Sequence, residues 1–285
     1  MHFGAHIYLW TDRWTDESLH ILDRARELGL SWVELAAGDD VHFNPELTRR
    51  RAESLGLKLT LSPGGLWPAD ADISHDDPAN RQRGMEWHRR AIDLAAACGC
   101  IAYCGAIYGH PGTVMRRVPP ADELPRTAEN LHSLAEYAAR RDVLLAIEPM
   151  SRFRTHLLNT PQAAMRLIEM AGHPNLRILI DTYHMMTELR DFPAAIVAAA
   201  PRLFAIHACE NDRGRPGFGL VPWSAILWTL RELRLDVPFF FETYNTAMRQ
   251  FAHSRGIFGD ICPDPDEFVR QGIAFLNSQQ QSEIP

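Results

Sequence analysis

The chain has 285 residues, of which 46% are hydrophobic and 23% charged, and its formal net charge is −7 with a pI near 6.0. This acidic balance argues against nucleic acid as the main partner, because a polyanion would be repelled. No apolar run approaches the roughly 18 to 20 residues of a membrane helix. The N-terminus lacks the basic and apolar regions of a signal peptide, so we expect a cytoplasmic protein without membrane contact.

Eight β-rich or apolar runs alternate with eight segments of helical pattern along the chain. The predicted strands cover residues 3–9, 31–36, 57–62, 100–105, 143–148, 177–181, 203–208 and 238–242. The predicted helices cover residues 15–28, 44–55, 78–98, 122–141, 160–171, 191–199, 222–233 and 265–276. A β-α unit repeated eight times predicts the α/β class and a single (β/α)8 TIM barrel at residues 1–277, with a doubly wound open sheet as the poorer alternative. Residues 278–285 form a polar C-terminal tail that we expect to be frayed.

Two residue types restrict the chemistry. Lys58 is the only lysine, and it has no acid or base close to it in the sequence, which argues against imine chemistry of the Schiff-base aldolase kind. The five cysteines are odd in number and stand mostly in apolar runs. We therefore expect reduced, buried thiols, and not a metal site formed by Cys98, Cys100 and Cys104.

Two connections are unusually long. Residues 106–121 and 243–263 follow the fourth and eighth predicted strands. In a (β/α)8 barrel the loops after the strands lie on the face that carries the active site. Loops of this length in a compact domain are commonly lids or subunit contacts, so both are expected to overhang the active face.

Four potential metal ligands stand at or near the ends of four successive predicted strands. Their runs are VLLAIE ending at Glu148, RILID at Asp181, LFAIH at His207 and PFFFE at Glu242. Any one of them alone could cap a helix or be a core histidine, but neither role requires this recurrence, and strand ends converge on one face of a barrel. The pattern predicts a site for one divalent ion. Three carboxylates and one imidazole suit Mn, Co or Mg better than a thiolate-loving metal.

The residues around these ligands resemble a known family. The contexts IEPMSRF, IDTYHM, HACENDR and FFETY, together with GFGLVPW after Arg213, are similar to the xylose-isomerase-like TIM barrel superfamily of sugar phosphate isomerases and epimerases. Within it, the chain most resembles the D-tagatose and D-psicose 3-epimerase family over almost its whole length. The resemblance implies a metal-dependent isomerase of carbohydrate metabolism that acts on a sugar.

The resemblance also implies how the site works. Glu148, Asp181, His207 and Glu242 would hold one divalent ion, most often Mn²⁺ with Co²⁺ or Mg²⁺ as alternatives, that also binds two adjacent oxygens of a ketose. A proton beside a carbonyl becomes removable when positive charge stabilises the enediolate. Glu148 and Glu242 would then face opposite sides of C3, one removing a proton and the other returning one, so that the centre inverts. The sequence does not assign which acts first.

Further positions are implied to contact the sugar. His184 and Arg213 match substrate-binding positions of the family, and hydroxyl recognition needs donors near the metal. Glu210 is expected to orient a ligand or His184, or else to cap the next helix. Aromatic candidates for the apolar wall of the pocket, each of which could instead be an ordinary core residue, are Tyr244, Tyr108, Trp67 and Trp10.

One position departs from the family pattern. Where the epimerases usually have Asn-Arg-Phe-Glu after the first metal glutamate, this chain has Ser151, Arg152, Phe153 and Arg154. A guanidinium that points into the pocket would favour an anionic substrate such as a sugar acid or a sugar phosphate. A guanidinium that points outward would merely be solvated.

Other functions remain open at this point. An aldose-ketose isomerase or an inosose dehydratase of the same superfamily would reuse the metal and one glutamate. A metal-dependent apurinic endonuclease shares the barrel but needs more metal ligands, and Glu34 and His110 are the few extra candidates in the first half of the chain. A binding module without catalysis is the least favoured alternative. The family resemblance suggests a homo-oligomer, either a dimer or a tetramer.

Overall fold

Eight parallel strands close into a barrel in which each strand pairs with its neighbours in the sequence and the last pairs with the first. The computed structural model describes residues 1–281. The strands are β1 Phe3–His6, β2 Trp32–Ala37, β3 Lys58–Pro63, β4 Ala102–Gly105, β5 Leu144–Ile147, β6 Leu176–Asp181, β7 Leu203–Ala208 and β8 Phe239–Phe241. The closed barrel confirms the predicted (β/α)8 fold and excludes the open sheet.

Helices surround this barrel. They are α1 His20–Glu27, α2 Pro45–Leu55, α3 Pro78–Ala97, α4 Glu123–Ala139, α5 Pro161–Ala171, α6 Thr182–Met185, α7 Phe192–Ala199, α8 Trp223–Glu232, α9 Arg249–Ser254 and α10 Pro265–Gln281. The polar side chains of Asn44, Asp77 and Thr160 accept hydrogen bonds from first-turn amides, and a proline follows each of them. Such caps fix where the helices begin and hence the lengths of the loops that form the site.

The structure differs from the predicted elements at both ends of the chain. Strand β1 ends at His6, because Ile7–Leu9 forms a 3-10 helix whose first turn is capped by His6 Nδ1 accepting from the Tyr8 amide at 3.1 Å. Helix α10 continues to Gln281, since neither glycine nor proline interrupts residues 277–281. The expectation of a frayed tail is therefore wrong for residues 278–281, and residues 282–285 lie outside the described part of the chain.

The barrel interior is filled by a small cluster of its own. Its buried members are Trp32, Ala102, Cys104, Ala146, Leu179, Ala205 and Phe240. Gly4 makes room for the large ones, because a Cβ there would lie 2.7 Å from Phe240 Cδ1 and from Trp32 Cβ. Side chains alternate along a strand, so the residue two positions after an interior residue also points inward. Each of the four predicted ligands occupies such a position, nearer the C-terminal mouth.

Residues that were expected to take no part in chemistry lie away from this mouth or deep in the core. Lys58 begins β3 and is exposed at the end of the strand opposite the mouth. All five cysteines are buried and free, as predicted. No helix of residues 1–281 has the length and apolar character needed to cross a bilayer.

Candidate metal and substrate site

The four predicted ligands come together at the C-terminal mouth of the barrel. Glu148 directly follows β5, Asp181 ends β6, His207 lies near the end of β7, and Glu242 directly follows β8. One ligand atom from each residue lies within 4.8 Å of those from the other three. All four residues are buried or nearly so, and they form the one such cluster found within residues 1–281.

The donor set fits a divalent cation. Asp181 Oδ1 accepts from the Tyr183 amide at 2.8 Å, whereas Asp181 Oδ2 and His207 Nδ1 are buried without a hydrogen-bond partner among the described residues. Each of these two atoms lies close to a group of opposite charge without hydrogen-bond geometry. Arg213 Nη1 is 2.7 Å from Asp181 Oδ2, and Glu242 Oε2 is 2.8 Å from His207 Nδ1. Buried polar atoms are rarely left unpaired, and a cation bound here would satisfy both.

The two glutamates have different electrostatic surroundings. Burial raises the pKa of Glu148, and the nearby charge of Glu242 raises it further against the effect of His207. Burial also acts to raise the pKa of Glu242, but Arg213 and His207 outweigh it and hold this pKa well below 4.5. Burial raises the pKa of Asp181 to about 8. Three carboxylates this close favour protonation unless positive charge is supplied.

A carboxylate not counted among the predicted ligands supports His207. Its Nε2 lies 3.1 Å from Glu34 Oε2, which also accepts from Thr60 Oγ1 at 3.3 Å. This bond fixes the imidazole and leaves Nδ1 for the cluster. Although burial acts to lower the pKa of His207, the charges of Glu34 and Glu242 raise it well above 6.5. Glu34 is the one acidic residue within the apolar strand β2, and this feature of the sequence could have indicated a role in the site.

Arg213 and His184 adjoin the cluster, as predicted. Arg213 Nη1 donates to Glu242 Oε2 at 2.7 Å, and Nη2 lies 3.3 Å from His184 Nε2. The guanidinium also stacks 4.3 Å from the Tyr183 ring centre. The backbone of Arg213 has φ of 69°, a left-handed conformation that costs energy for a non-glycine residue and concentrates at functional sites. Buried donors thus stand beside the predicted metal ligands.

A cavity of about 340 Å³ opens onto these groups. Its lining includes the predicted residues Trp67, Glu148, Arg154, His184, His207, Arg213, Glu242 and Tyr244. It also includes residues that the sequence reasoning did not assign to the site, namely His6, Tyr8, Glu34, Ser62 and Arg255. The long loops after β4 and β8 both contribute, through His110 and Arg255, as their predicted position over this face requires. The second loop also contains the unpredicted helix α9.

Two aromatic candidates do not line this cavity. Tyr108 is fully buried, and its hydroxyl donates to the backbone oxygens of Glu148 at 3.0 Å and Leu158 at 3.3 Å. The expectation of a sugar contact there is wrong, because the chain turns into the core after β4. Tyr108 instead fixes the backbone that carries Glu148. The Trp10 indole donates to Asp266 at 2.9 Å, outside the cavity.

Glu210 holds a loop in place and does not orient a predicted metal ligand. Its carboxylate accepts from the Gly217 and Val221 amides and from the Trp223 indole, at 2.7, 2.9 and 2.7 Å. Its backbone oxygen accepts from the Arg213 amide at 3.0 Å. Within residues 1–281 the carboxylate bonds to no metal ligand and not to His184, so that expectation is corrected. These bonds close the loop between β7 and α8, which presents Arg213.

The chain is similar to known proteins over nearly its whole length. Residues 22–279 match the family model described as "Xylose isomerase-like TIM barrel". A ketose 3-epimerase of Arthrobacter globiformis is 29% identical over 283 residues, which cover 98% of this chain and 96% of that protein. A D-psicose 3-epimerase of Agrobacterium fabrum is 28% identical over 238 residues, which cover 82% of this chain and 81% of that protein. The structure of an L-ribulose 3-epimerase matches with a TM-score of 0.90 and 28% identity, covering 99% and 95% of the two chains.

Proposed function

Since this chain belongs to the xylose isomerase-like TIM barrel family, we propose that it is an isomerase of that family, a divalent-metal-dependent ketose 3-epimerase. The observation that carries the proposal is the pair of buried glutamates, Glu148 and Glu242, within one cation-binding cluster. They reach it from β5 and β8, three strands apart in the barrel. Of two relatives that align over nearly the whole chain, one is named a ketose 3-epimerase and the other a probable ketose 3-epimerase.

The residues divide the work of inverting a carbon centre. One glutamate accepts the proton from C3 while the other delivers a proton to the opposite side. When bound, a divalent ion supplies positive charge that stabilises the negative charge developing on the substrate oxygens. Arg213 and His184 donate hydrogen bonds to the same part of the sugar, and the buried walls keep bulk water from competing for those donors.

Glu34 and Tyr108 hold the reacting groups in place. Glu34 orients His207 through a 3.1 Å hydrogen bond. Tyr108 holds the backbone of Glu148 from behind. Proton transfer requires a carboxylate within hydrogen-bond reach of the carbon-bound proton, so errors of about 1 Å in placement are costly.

The finer properties form part of the same proposal. We propose one Mn²⁺ per chain, because oxygen and imidazole donors suit it, with Co²⁺ or Mg²⁺ as substitutes. We also propose a homodimer or homotetramer, a sugar as the small-molecule substrate, and a cytoplasmic location. Elemental analysis of purified protein tests the first, since two or three metals per chain would favour a nuclease-like hydrolase. Light scattering after size-exclusion chromatography tests the second.

Product analysis in deuterated water tests the reaction. The Mn-loaded protein is incubated with ketoses, and the products are identified by NMR. Deuterium at C3 together with the inverted epimer supports the proposal. Deuterium at C1 or C2 would instead indicate an aldose-ketose isomerase, and loss of water would indicate a dehydratase.

A further inference from the structure

Three arginines line the cavity, but only one of them is paired with carboxylates. Arg213 contacts Asp181 and Glu242. Within residues 1–281, no carboxylate oxygen lies within 4.0 Å of a side-chain nitrogen of Arg154 or Arg255, although both line the same cavity. An unpaired guanidinium that faces a partly enclosed space is a recognition element for carboxylate or phosphate.

Arg255 is held in a fixed position. Its Nη2 donates to the Tyr8 hydroxyl at 3.2 Å and to the backbone oxygen of Gly64. The guanidinium lies 5.1 Å from the Tyr8 ring centre and 5.2 Å from that of Phe251. Among the described residues, Nη1 and Nε have no hydrogen-bond partner. Hydrogen bonds from Nη2 thus hold the guanidinium in place, while Nη1 and Nε remain available to bind a ligand.

Arg154 has a fixed backbone and a free side chain. Its amide donates to the Ser151 oxygen at 2.8 Å, and its own backbone oxygen accepts from the Gly112 amide at 2.7 Å. No described residue forms a side-chain hydrogen bond or ion pair with its guanidinium. The two neighbouring loops thus hold the backbone of Arg154, whose exposed side chain lines the cavity without a protein partner.

The two free guanidiniums belong to residues that border one space. Arg154, Arg255 and Tyr244 all line the same cavity. The Arg255 guanidinium lies 6.0 Å from the Tyr244 ring centre. The space beside this ring is therefore bordered by positive charge.

The acids that line the cavity do not neutralise these charges. They are Glu34, Glu148 and Glu242, and all three contact His207. Arg152 shows the alternative, because its guanidinium and amide bind Glu188 at 2.8 to 3.2 Å outside the cavity. The described part of the chain therefore provides a carboxylate partner for Arg152, two residues away, but none for Arg154.

We propose that the substrate is an anionic ketose whose carboxylate or phosphate is bound by Arg154 and Arg255. This inference rests on the proposed epimerase function and names its substrate class. The ketone end lies at the cation cluster, and the charged end lies against the two arginines. A neutral ketose would give neither guanidinium an anionic partner.

The test compares three forms of one ketose with the Mn-loaded protein: fructose, its 6-carboxylate fructuronate and its 6-phosphate. We expect kcat/KM for at least one anion to exceed that for fructose by about tenfold or more, as for hydrogen bonds between charged groups. The better of the two anions identifies the source of the charge. In Arg154→Gln and Arg255→Gln this preference should fall to within about threefold, and in Arg154→Glu it should reverse. Arg152→Gln is the matched control and should keep it.

Binding without turnover separates the inference from the proposed function. Calorimetry measures glucitol, gluconate and glucitol 6-phosphate, which have no ketone to react. Tighter binding of an anion that is lost in Arg154→Gln and Arg255→Gln but kept in Arg152→Gln supports the anion site. If such binding is seen but no ketose is epimerised, the anion site stands and only the epimerase function is rejected. Equal epimerisation of all three ketoses, or a preference unaffected by either arginine change, would overturn the anionic substrate and leave the epimerase intact.

Discussion

His207 and Glu34 are joined across the barrel mouth by a 3.1 Å contact between Nε2 and Oε2, although 173 residues separate them in the sequence. This contact leaves Nδ1 of the imidazole free to bind a cation. A carboxylate behind a metal-binding histidine sets its orientation and raises its basicity. Glu34 is therefore expected to act on metal affinity without being a ligand.

Replacing Glu34 by Gln should weaken Mn²⁺ binding by about 10- to 100-fold, because the imidazole loses its negatively charged partner. Competition with a fluorescent chelator measures the affinity. Glu188→Gln, which removes a carboxylate remote from the cavity, is the control. Unchanged affinity in Glu34→Gln would show that the contact has no role in holding the ion.

Replacing either of the glutamates proposed to be catalytic should separate proton exchange from inversion. Glu148→Gln and Glu242→Gln should each lower the epimerisation rate by on the order of 10² to 10⁴, because one of two proton carriers is missing. Each variant should still exchange the C3 hydrogen of one epimer with deuterated water, and the two variants should differ in which epimer they label. NMR of variants with confirmed metal content measures this. Labelling of the same epimer by both would contradict opposed roles.

Removing the metal should destabilise the protein more at higher pH. The pKa of Asp181 is raised to about 8 in the metal-free fold, so between about pH 4 and pH 8 the folded state keeps a proton that the unfolded chain has lost. Stability therefore decreases as pH rises through this window, and a cation bound to the carboxylate removes that penalty. Chelation should lower Tm by on the order of 5 to 10 °C, and by more at pH 8 than at pH 5.5. A difference that shrinks with pH would refute this account.

His88 should make the fold sensitive to acid. It is fully buried, its Nδ1 lies 3.0 Å from the Tyr103 hydroxyl, and burial lowers its pKa to about 3. Between about pH 6.5 and pH 3, His88 binds a proton in the unfolded chain but not in the folded one. The free energy of unfolding should therefore fall by up to about 1.4 kcal/mol per pH unit as pH decreases through this range. Urea unfolding at pH 7 and pH 5 measures it. His88→Gln should show a shallower decline, and an equally steep one would exclude His88 as the cause.

Gly4→Ala should destabilise the barrel interior. The new Cβ would lie 2.7 Å from both Phe240 and Trp32, so these side chains would have to move. Such overpacking costs about 1 to 3 kcal/mol. Denaturant unfolding of Gly4→Ala should show that loss, while Gly259→Ala, where no heavy atom lies within 4 Å, should unfold at the wild-type midpoint. Equal stability of the two variants would mean that the interior repacks freely.

The sequence predicted the barrel and the cluster well because both depend on local patterns. Apolar runs ending in a ligand residue recur four times, and strand ends of a barrel converge on one face. What it missed depends on contacts between distant segments. The role of Glu34 requires β2 to face β7 across the barrel, and the wrong placement of Tyr108 arose because nothing local shows that the chain enters the core after β4.

The placement of the predicted metal ligands has a consequence for how substrate specificity can change in evolution. All four predicted ligands lie at or directly after the ends of strands β5 to β8. A wall of the cavity that belongs to the first half of the chain is formed by Tyr8, residues 62–67, Gly105, Ala106, His110 and Pro111. Substitutions in that wall alter the shape of the space offered to a sugar while every cation ligand stays in place. We therefore expect that new substrates can be acquired by substitutions in this wall, as long as Glu34 from the same half of the chain is kept to orient His207.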